Sequence, residues 1–440
     1  MIHRTVTSRS PRVIASGVLL LVSLAAFAAL CVTLRIPMAD TLVYRAEGAA
    51  VVGGTDLYGF TVTEWNLPAT YPPFAAILFV PTTWLPIPLL KIAFVAGNVA
   101  LLALLVHLSF RFTGLSGSRA RPWLPLAATG LALWLEPVFQ TLLFGQINLA
   151  LVCLVLWDLS RPEGAVGKGF ALGIAAGIKL TPGFFVVYLL LVGRIRTAAT
   201  ATASFVGTVL LGVLVLPGAS VEFWTRRMFE TGRVGKVWIV DNQSLQGLLA
   251  RVLRIEEPGL LWAVPALLVA ALGLWLARRA HHHGHSQWGL LTAAFTALLI
   301  SPISWSHHWV WCVPLAALLL AERRVYLAVV VTALFTARTH WLLPHDGELD
   351  LQYPWWQQPL ASPYPLLGLA LLGCVAVWTG RRRVTVPTQR ANPARPADRG
   401  DPNSARPANQ GDPLPARPAF EDEPAGRSSE PRPTAHKRAT

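Results

Sequence analysis

Asp40 is a carboxylate placed shortly after a long apolar run at residues 13–34, in a chain where only 14% of the residues are charged. A carboxylate just past the end of a membrane helix costs little free energy, because it reaches the interfacial water. Such a group could act as a general base on a substrate held at the membrane surface. Tyr44 would share its face if this stretch is helical, and we place it among the donor-binding candidates. A helix cap or a salt bridge to Arg45 is the structural alternative for Asp40.

Two adjacent histidines, His307 and His308, lie between Trp305 and Trp309 in the segment SPISWSHHWVW, residues 301–311. Tryptophan is common at membrane interfaces, and the two flanking tryptophans are candidates for contacting a substrate. An imidazole can donate a hydrogen bond to a phosphate or carry a proton. The segment therefore predicts histidines that take part in catalysis.

Cationic side chains that could meet an anionic substrate occur at two places. Lys179 interrupts an apolar stretch in GIKLTP, residues 177–182. A lysine at membrane depth costs about 2.5–3.5 kcal/mol, so a functional partner is expected, and a phosphate is the natural one. The alternative is that its ammonium group reaches the outer interface. Arg226 and Arg227 open a basic cluster in a long loop that the charge pattern places outside, and this cluster also suits an anionic ligand.

Further polar side chains stand where apolar runs begin or end. We regard these as candidates for binding substrate: Tyr71 in TYPPF, Gln146 and Asn148 in FGQIN, and Asp241, Asn242 and Gln243 in DNQS. Helix capping is the alternative for several of them, since DNQS precedes an amphipathic stretch at residues 245–253. The four cysteines lie in apolar runs without CxxC spacing, and neither HExxH nor a Walker A motif occurs. We therefore expect no disulfide framework, no metal and no bound nucleotide.

The composition indicates how these groups are positioned. Hydrophobic residues make up 53% of the 440 residues and the mean hydropathy is +0.49, so the chain is expected to be an integral membrane protein. The apolar runs predict an all-α bundle of about twelve transmembrane helices. The net charge of +14 does not indicate nucleic-acid binding, because the basic residues lie in short loops between apolar runs and in the tail. A cytoplasmic N-terminus puts most basic loops inside and the polar motifs outside.

Three regions follow from these patterns: a cytoplasmic N-terminus (1–12), a membrane domain (13–380) and a tail (381–440). The tail is rich in Pro and Arg and contains an imperfect 11-residue repeat beginning at Ala394, Ala405 and Ala416. Nothing in it can build a core, so we expect it to be disordered and cytoplasmic. The break at Lys179 predicts an internal cavity open to the outer face, because non-helical backbone at membrane depth is tolerated where it lines a cavity.

The assembled motifs carry a resemblance to a known family over about residues 13–380. They are LYG (57–59), YPP (71–73), WLEP (134–137), FGQIN (144–148), KLTP (179–182), DNQ (241–243) and SPISWSHHW (301–309), together with Asp40 and Tyr44. The chain resembles the actinobacterial polyprenol-phosphate-mannose-dependent α-1,2-mannosyltransferases of glycosyltransferase family 87, in the GT-C superfamily.

The resemblance implies an inverting enzyme of the plasma membrane with its active site at the periplasmic face. It would transfer mannose from a β-mannosyl polyprenyl phosphate to a glycolipid or lipoglycan of the cell envelope. Asp40 would deprotonate the acceptor 2-hydroxyl. The donor phosphate would meet cationic groups near Lys179, in the Arg226/Arg227 loop or at His307 and His308. No cofactor is expected, because the lipid phosphate already activates the sugar.

Two other functions are compatible with the sequence. One is a related GT-C enzyme that uses another polyprenyl-phosphate sugar, such as an arabinofuranosyl donor. The other is a transporter or flippase for lipid-linked sugars. Transporters commonly contain internal repeats and charges at the membrane midplane. The apolar runs contain no repeat and the polar motifs gather at one face, so a transferase is the favoured prediction.

Overall fold

The computed structural model describes residues 11–34, 36, 38–115, 123–345 and 347–381. The first ten residues and residues 382–440 lie outside this range. The expectations for the cytoplasmic N-terminus and the repeat-containing tail therefore concern residues mostly outside the described part of the chain.

Helices dominate the described residues. The α-helices are α1 (Pro11–Thr33), α2 (Ala39–Gly53), α3 (Pro73–Phe79), α4 (Ile87–Thr113), α5 (Trp123–Ala132), α6 (Glu136–Phe144), α7 (Asn148–Leu159), α8 (Phe170–Ile178), α9 (Phe184–Leu191), α10 (Ile195–Val215), α11 (Pro217–Thr225), α12 (Leu245–Leu253), α13 (Leu260–His282), α14 (Ser286–Ile300), α15 (Cys312–Ala321), α16 (Val325–Ala337), α17 (Gln358–Ala361) and α18 (Pro363–Arg381). Short 3₁₀ segments cover Val80–Trp84, Thr181–Gly183, Arg227–Phe229, Thr231–Arg233, Ser306–Trp311, Thr339–Leu342 and Leu349–Gln352.

A small hairpin interrupts the helices between α2 and α3. Its strands, β1 (Thr61–Val62) and β2 (Leu67–Pro68), pair antiparallel, with Thr61 opposite Pro68 and Val62 opposite Leu67. Prolines at the first turn begin α3, α6 and α11, a position where the missing N–H of proline costs no hydrogen bond.

Six helices of the described part are long and apolar enough to cross a membrane, namely α1, α4, α10, α13, a stretch containing α16 (Val325–Leu342) and α18. The count becomes seven if α5 and α6, which are bent by 70° at their break, form one span. The expected all-α membrane architecture is thus confirmed, but the expected count of about twelve is not. Several apolar runs form helices of only 10–17 residues, shorter than the roughly 20 residues that a straight span needs.

The short helices form much of the core. Leu149 and Leu156 of α7 are fully buried, and Leu291 and Leu299 of α14 are equally enclosed. Helices that are apolar on all sides are typical of the interior of a bundle. Their ends, rather than those of the long peripheral helices, carry the polar motifs predicted from the sequence.

Candidate active site

A cavity of about 500 Å³ opens among six segments of the chain: the start of α2, the stretch before α3, the α6–α7 turn, the α8–α9 break, the α11–α12 connection and the segment after α14. Most of the sequence-predicted site residues line it together: Asp40, Tyr71, Gln146, Lys179, Arg227, Asp241, Trp305, His307 and His308. Its volume is in the range of ordinary ligand sites.

Asp40 lies in the first turn of α2, where the helix dipole favours a negative charge. The salt bridge to Arg45 is not formed, because the Arg45 guanidinium donates to the carbonyl oxygens of Thr82 and Leu85, each at 2.6 Å. Burial raises the pKa of Asp40 to about 6, and a hydrogen bond from Gln146 and the charge of Lys179 partly offset that rise. A carboxyl group with this pKa can accept a proton near neutral pH.

Gln146 is held by two tyrosines. Its Oε1 accepts hydrogen bonds from the Tyr44 hydroxyl at 2.9 Å and the Tyr71 hydroxyl at 3.3 Å. Because this oxygen is occupied, the amide NH₂ group is the donor to Asp40. Tyr44 is fully buried and does not line the cavity. The structure therefore places Tyr44 behind Gln146, instead of in contact with a donor phosphate.

The α6–α7 turn brings Gln146 to this position. Gly145 adopts a left-handed conformation with φ of 68°, and a Cβ there would collide with the Thr41 side chain of α2. Thr41 also donates to the Gly145 carbonyl oxygen at 3.4 Å. Glycine is needed because both the backbone angle and the close approach exclude a side chain.

Lys179 stands in extended backbone between α8 and α9. Its Nζ lies 2.9 Å from His308 Nε2 and 3.3 Å from Asn148 Oδ1, and 5.6 Å from the centre of the Tyr71 ring. An ammonium group can only donate, so the His308 Nε2 must accept when Lys179 is charged. Burial lowers the pKa of Lys179 to about 8, against the opposing effect of Asp40. The cation therefore faces the cavity and lacks a direct carboxylate partner among the described residues.

The DNQS and SPISWSHH segments are paired through their backbones. The Gln243 N–H donates to the Ser304 carbonyl and the Ser306 N–H donates to the Asp241 carbonyl, each at 2.8 Å. Asn242 and Gln243 are fully buried, and their side chains bond to protein backbone. Neither lines the cavity, so the structure does not support their predicted contact with substrate. The cap of α12 is Ser244, whose Oγ accepts from Gly247 N.

Three more predicted site residues do not line this cavity. Trp309 is fully buried in the core against Phe295, so a contact with substrate is not supported. Asn148 is buried beside the cavity and links Lys179 to the His307 carbonyl oxygen. Arg226 is exposed and paired with Glu230.

The predicted basic cluster is largely neutralised. Arg227 lines the cavity but is paired with Glu222 at 2.6 Å and Glu230 at 2.9 Å. Glu230 also lines the cavity. Arg227 can therefore reach an anionic ligand only in competition with these carboxylates, and Lys179 is the better placed cation.

Sequence reasoning missed two buried groups near the cavity. Glu47 is only 1% exposed, and burial raises its pKa to about 8. It lies two turns after Asp40 on α2. This spacing puts both carboxyl groups on one face of the helix and could have identified Glu47 from the sequence. His340 is fully buried, with Nε2 3.7 Å from both Asp241 Oδ1 and Glu136 Oε1. No group of three or more potential metal ligands occurs among the described residues.

Comparison with known proteins identifies the family of this chain. Residues 69–302 match the model of glycosyltransferase family 87. The chain is 34% identical over 371 residues to a polyprenol-phosphate-mannose-dependent alpha-(1-2)-phosphatidylinositol mannoside mannosyltransferase of Mycobacterium tuberculosis, covering 79% of this chain and 86% of the relative. A protein of the same description from Mycolicibacterium smegmatis is 33% identical, with 82% and 89% covered.

A third relative, from Mycobacterium tuberculosis, is described as acting on phosphatidylinositol pentamannoside and is 34% identical over 71% of this chain and 74% of its own length. No solved structure matches the chain significantly. The extent of these matches agrees with the resemblance seen in the motifs. The chain therefore belongs to glycosyltransferase family 87 and is a membrane glycosyltransferase.

Proposed function

We propose that this enzyme transfers mannose from polyprenyl-phosphate mannose to a hydroxyl group of a cell-envelope glycolipid or lipoglycan, forming an α-1,2 linkage. The names of the relatives support this donor and suggest a phosphatidylinositol mannoside as acceptor. They also favour mannose over the pentose alternative. We assign the transferase to the whole of residues 13–380, because Asp40 precedes the matched range and His308 follows it.

The observation that carries the proposal is that a carboxylate and a cation face the same cavity. Asp40 and Lys179 both line it and each shifts the pKa of the other. A glycosyl transfer from a lipid phosphate needs a base for the acceptor and a positive charge for the leaving phosphate. These two residues meet that requirement.

The proposed reaction is a single displacement. Asp40 takes the proton of the acceptor hydroxyl as its oxygen bonds to the anomeric carbon of mannose. The bond from that carbon to the phosphate oxygen breaks on the opposite side, and the polyprenyl phosphate leaves with the electron pair. Lys179, oriented by His308, would stabilise the charge that develops on the phosphate. Inversion of a β-linked donor then gives an α-linked product.

The surroundings of Lys179 suit a lipid carrier. A narrow extension of the site shares Lys179, Thr181 and His308 with the main cavity and is otherwise lined mainly by apolar side chains, among them Leu151, Phe185 and Leu298. A phosphate at Lys179 would therefore have apolar surface next to it for the first part of a polyprenyl chain. We place this site at the outer face of the plasma membrane, because the basic loops on the other side follow the positive-inside pattern.

The test uses the purified full chain in bilayer nanodiscs with a phosphatidylinositol mannoside acceptor. One reaction receives labelled polyprenyl-phosphate mannose and a matched reaction receives the arabinofuranosyl donor. The proposal predicts transfer of mannose only, and NMR of the product should show an α linkage to the 2-position. Transfer from the pentose donor alone, or a β-linked product, would refute it.

A further inference from the structure

A second polar cavity, of about 210 Å³, lies at the other end of the bundle from the active site. Helix α7 begins at Asn148, beside Lys179, and ends at Leu159, which lines the second cavity. Helix α14 begins at Ser286 in the second cavity and ends just before Ser301 in the first. A helix of this size is roughly 18–22 Å long, so the two cavities are separate sites.

The second cavity has an excess of positive charge. Its lining residues include Arg111, Arg161 and Arg194 and one acidic residue, Glu163. That carboxylate is shared, since Glu163 Oε1 lies 2.8 Å from Arg194 and 2.7 Å from the ammonium of Lys168. Together with Lys168 and with Asp158, the partner of Arg161, four cations meet two carboxylates here, and this excess of positive charge favours an added anion.

Arg111 contributes most clearly to the excess of positive charge in the second cavity. No hydrogen bond or ion pair of its side chain is recorded within the described part of the chain, and the residue is exposed. Arg161, in contrast, donates to the Val166 carbonyl and is paired with the buried Asp158 at 3.3 Å. Arg111 is therefore a cation with its hydrogen-bonding capacity available to a ligand.

The position of the cavity identifies the kind of anion. Arg111 lies in the last turn of α4, Arg194 directly precedes α10, and His281 lies in the last turn of α13. All three helices are candidate membrane spans. The cavity therefore lies at the edge of the apolar layer, which is the depth of phospholipid headgroups. The first turn of α14 at Ser286 adds the positive end of a 15-residue helix.

We propose that this cavity binds the phosphate of an anionic phospholipid headgroup. Arginine suits this role because its planar donors match phosphate oxygens. Ser286 and Gln287 at the start of α14 also line the cavity, where Ser286 Oγ donates to Gln287 Oε1 and Gln287 Nε2 donates to the Phe112 carbonyl oxygen. The inference does not depend on the identity of the sugar transferred, since none of these residues lines the active-site cavity.

The test is native mass spectrometry of the purified full chain in the presence of phosphatidylglycerol or phosphatidylcholine. The variant is Arg111→Gln, which removes the charge without breaking a recorded contact. The matched control is Arg196→Gln, an exposed arginine on α10 that does not line the cavity. We expect wild type and control to retain phosphatidylglycerol over phosphatidylcholine, and Arg111→Gln to retain about fivefold less of it.

Adding inorganic phosphate distinguishes a lipid headgroup from a soluble anion as the ligand of this cavity. Displacement of bound phosphatidylglycerol by millimolar phosphate would support recognition of the phosphate group. Equal retention of the two lipids by wild type would overturn the proposal, and so would equal loss in Arg111→Gln and Arg196→Gln. Stabilisation by inorganic phosphate without any lipid preference would also overturn it, because the ligand would then be a soluble anion.

Discussion

Lys179 Nζ lies 2.9 Å from His308 Nε2, although the two residues are 129 positions apart in the chain. Lys179 stands at the break between α8 and α9, and His308 lies in the 3₁₀ turn that follows α14. The contact directs the ammonium group towards the cavity that Asp40 also lines. A cation oriented in this way is placed to act on a leaving phosphate in that cavity.

Sugar transfer should depend on pH through both Asp40 and Lys179. Asp40 must be ionised to accept a proton, so kcat/KM should fall as the pH drops through about 6. Lys179 must be protonated to bind phosphate, so kcat/KM should fall as the pH rises through about 8. Initial rates in nanodiscs between pH 5 and 9 should give a bell-shaped profile. A rate that is constant from pH 5 to 7 would be incompatible with Asp40 as the base.

Replacing Lys179 by methionine should have two effects. The KM for the polyprenyl-phosphate donor should rise by about 10–100-fold, since a charged hydrogen bond is lost. The acidic limb of the pH profile should also move above pH 6, because the positive charge of Lys179 lowers the pKa of Asp40. Lys236→Met is the control, as Lys236 is exposed and lies outside the cavity. An unmoved acidic limb would show that Lys179 and Asp40 do not interact.

The turn at Gly145 should tolerate no side chain. Gly145→Ala introduces a Cβ against Thr41 as well as a strained backbone, and should displace Gln146 from Asp40. Gly164→Ala is the matched control, because Gly164 has φ of 81° but open space around it. We expect the rate of sugar transfer to fall at least tenfold in Gly145→Ala. In Gly164→Ala the only expected effect is a loss of about 1–2 kcal/mol in the free energy of unfolding. Equal activities would argue against a precise α6–α7 turn.

The two tryptophans beside the histidines should behave differently. Trp309→Ala removes a fully buried side chain and should lower the unfolding free energy by about 3–5 kcal/mol. Trp305→Ala alters the cavity wall and should raise the acceptor or donor KM with a smaller loss of stability. Thermal unfolding of both variants measures the loss of stability, and steady-state kinetics measure the KM values. A reversed pattern would mean that Trp309, and not Trp305, contacts substrate.

The sequence predicted the class of the protein and much of the site. Polar groups are costly in an apolar chain, so Asp40, Lys179 and His308 stood out, and the structure brings all three to one cavity. The sequence did not predict which of the residues next to these three face the cavity. Trp305, His307 and His308 line the cavity, whereas Trp309, the next residue, enters the core, and residue type alone does not distinguish the two tryptophans.

The number of membrane spans could not be predicted from the sequence either, for a related reason. Hydropathy identifies apolar segments, but α7, α14 and α15 are apolar because they lie within the bundle, and each is shorter than a span. Glu47 illustrates the converse case. A glutamate in a polar segment is ordinarily solvated, whereas the packing of α2 against the stretch before α3 buries this one.

The most direct test of the account is the rate of mannose transfer by Asp40→Asn in nanodiscs at saturating donor. The matched control is Glu64→Gln, a carboxylate between α2 and α3 that is exposed and does not line the cavity. We predict that Asp40→Asn lowers kcat by about 10²–10⁴-fold, with normal protein levels and unchanged donor KM, and that Glu64→Gln transfers mannose like wild type. Undiminished transfer by Asp40→Asn would contradict the assignment of Asp40 as the base and would direct attention to His307 and His308.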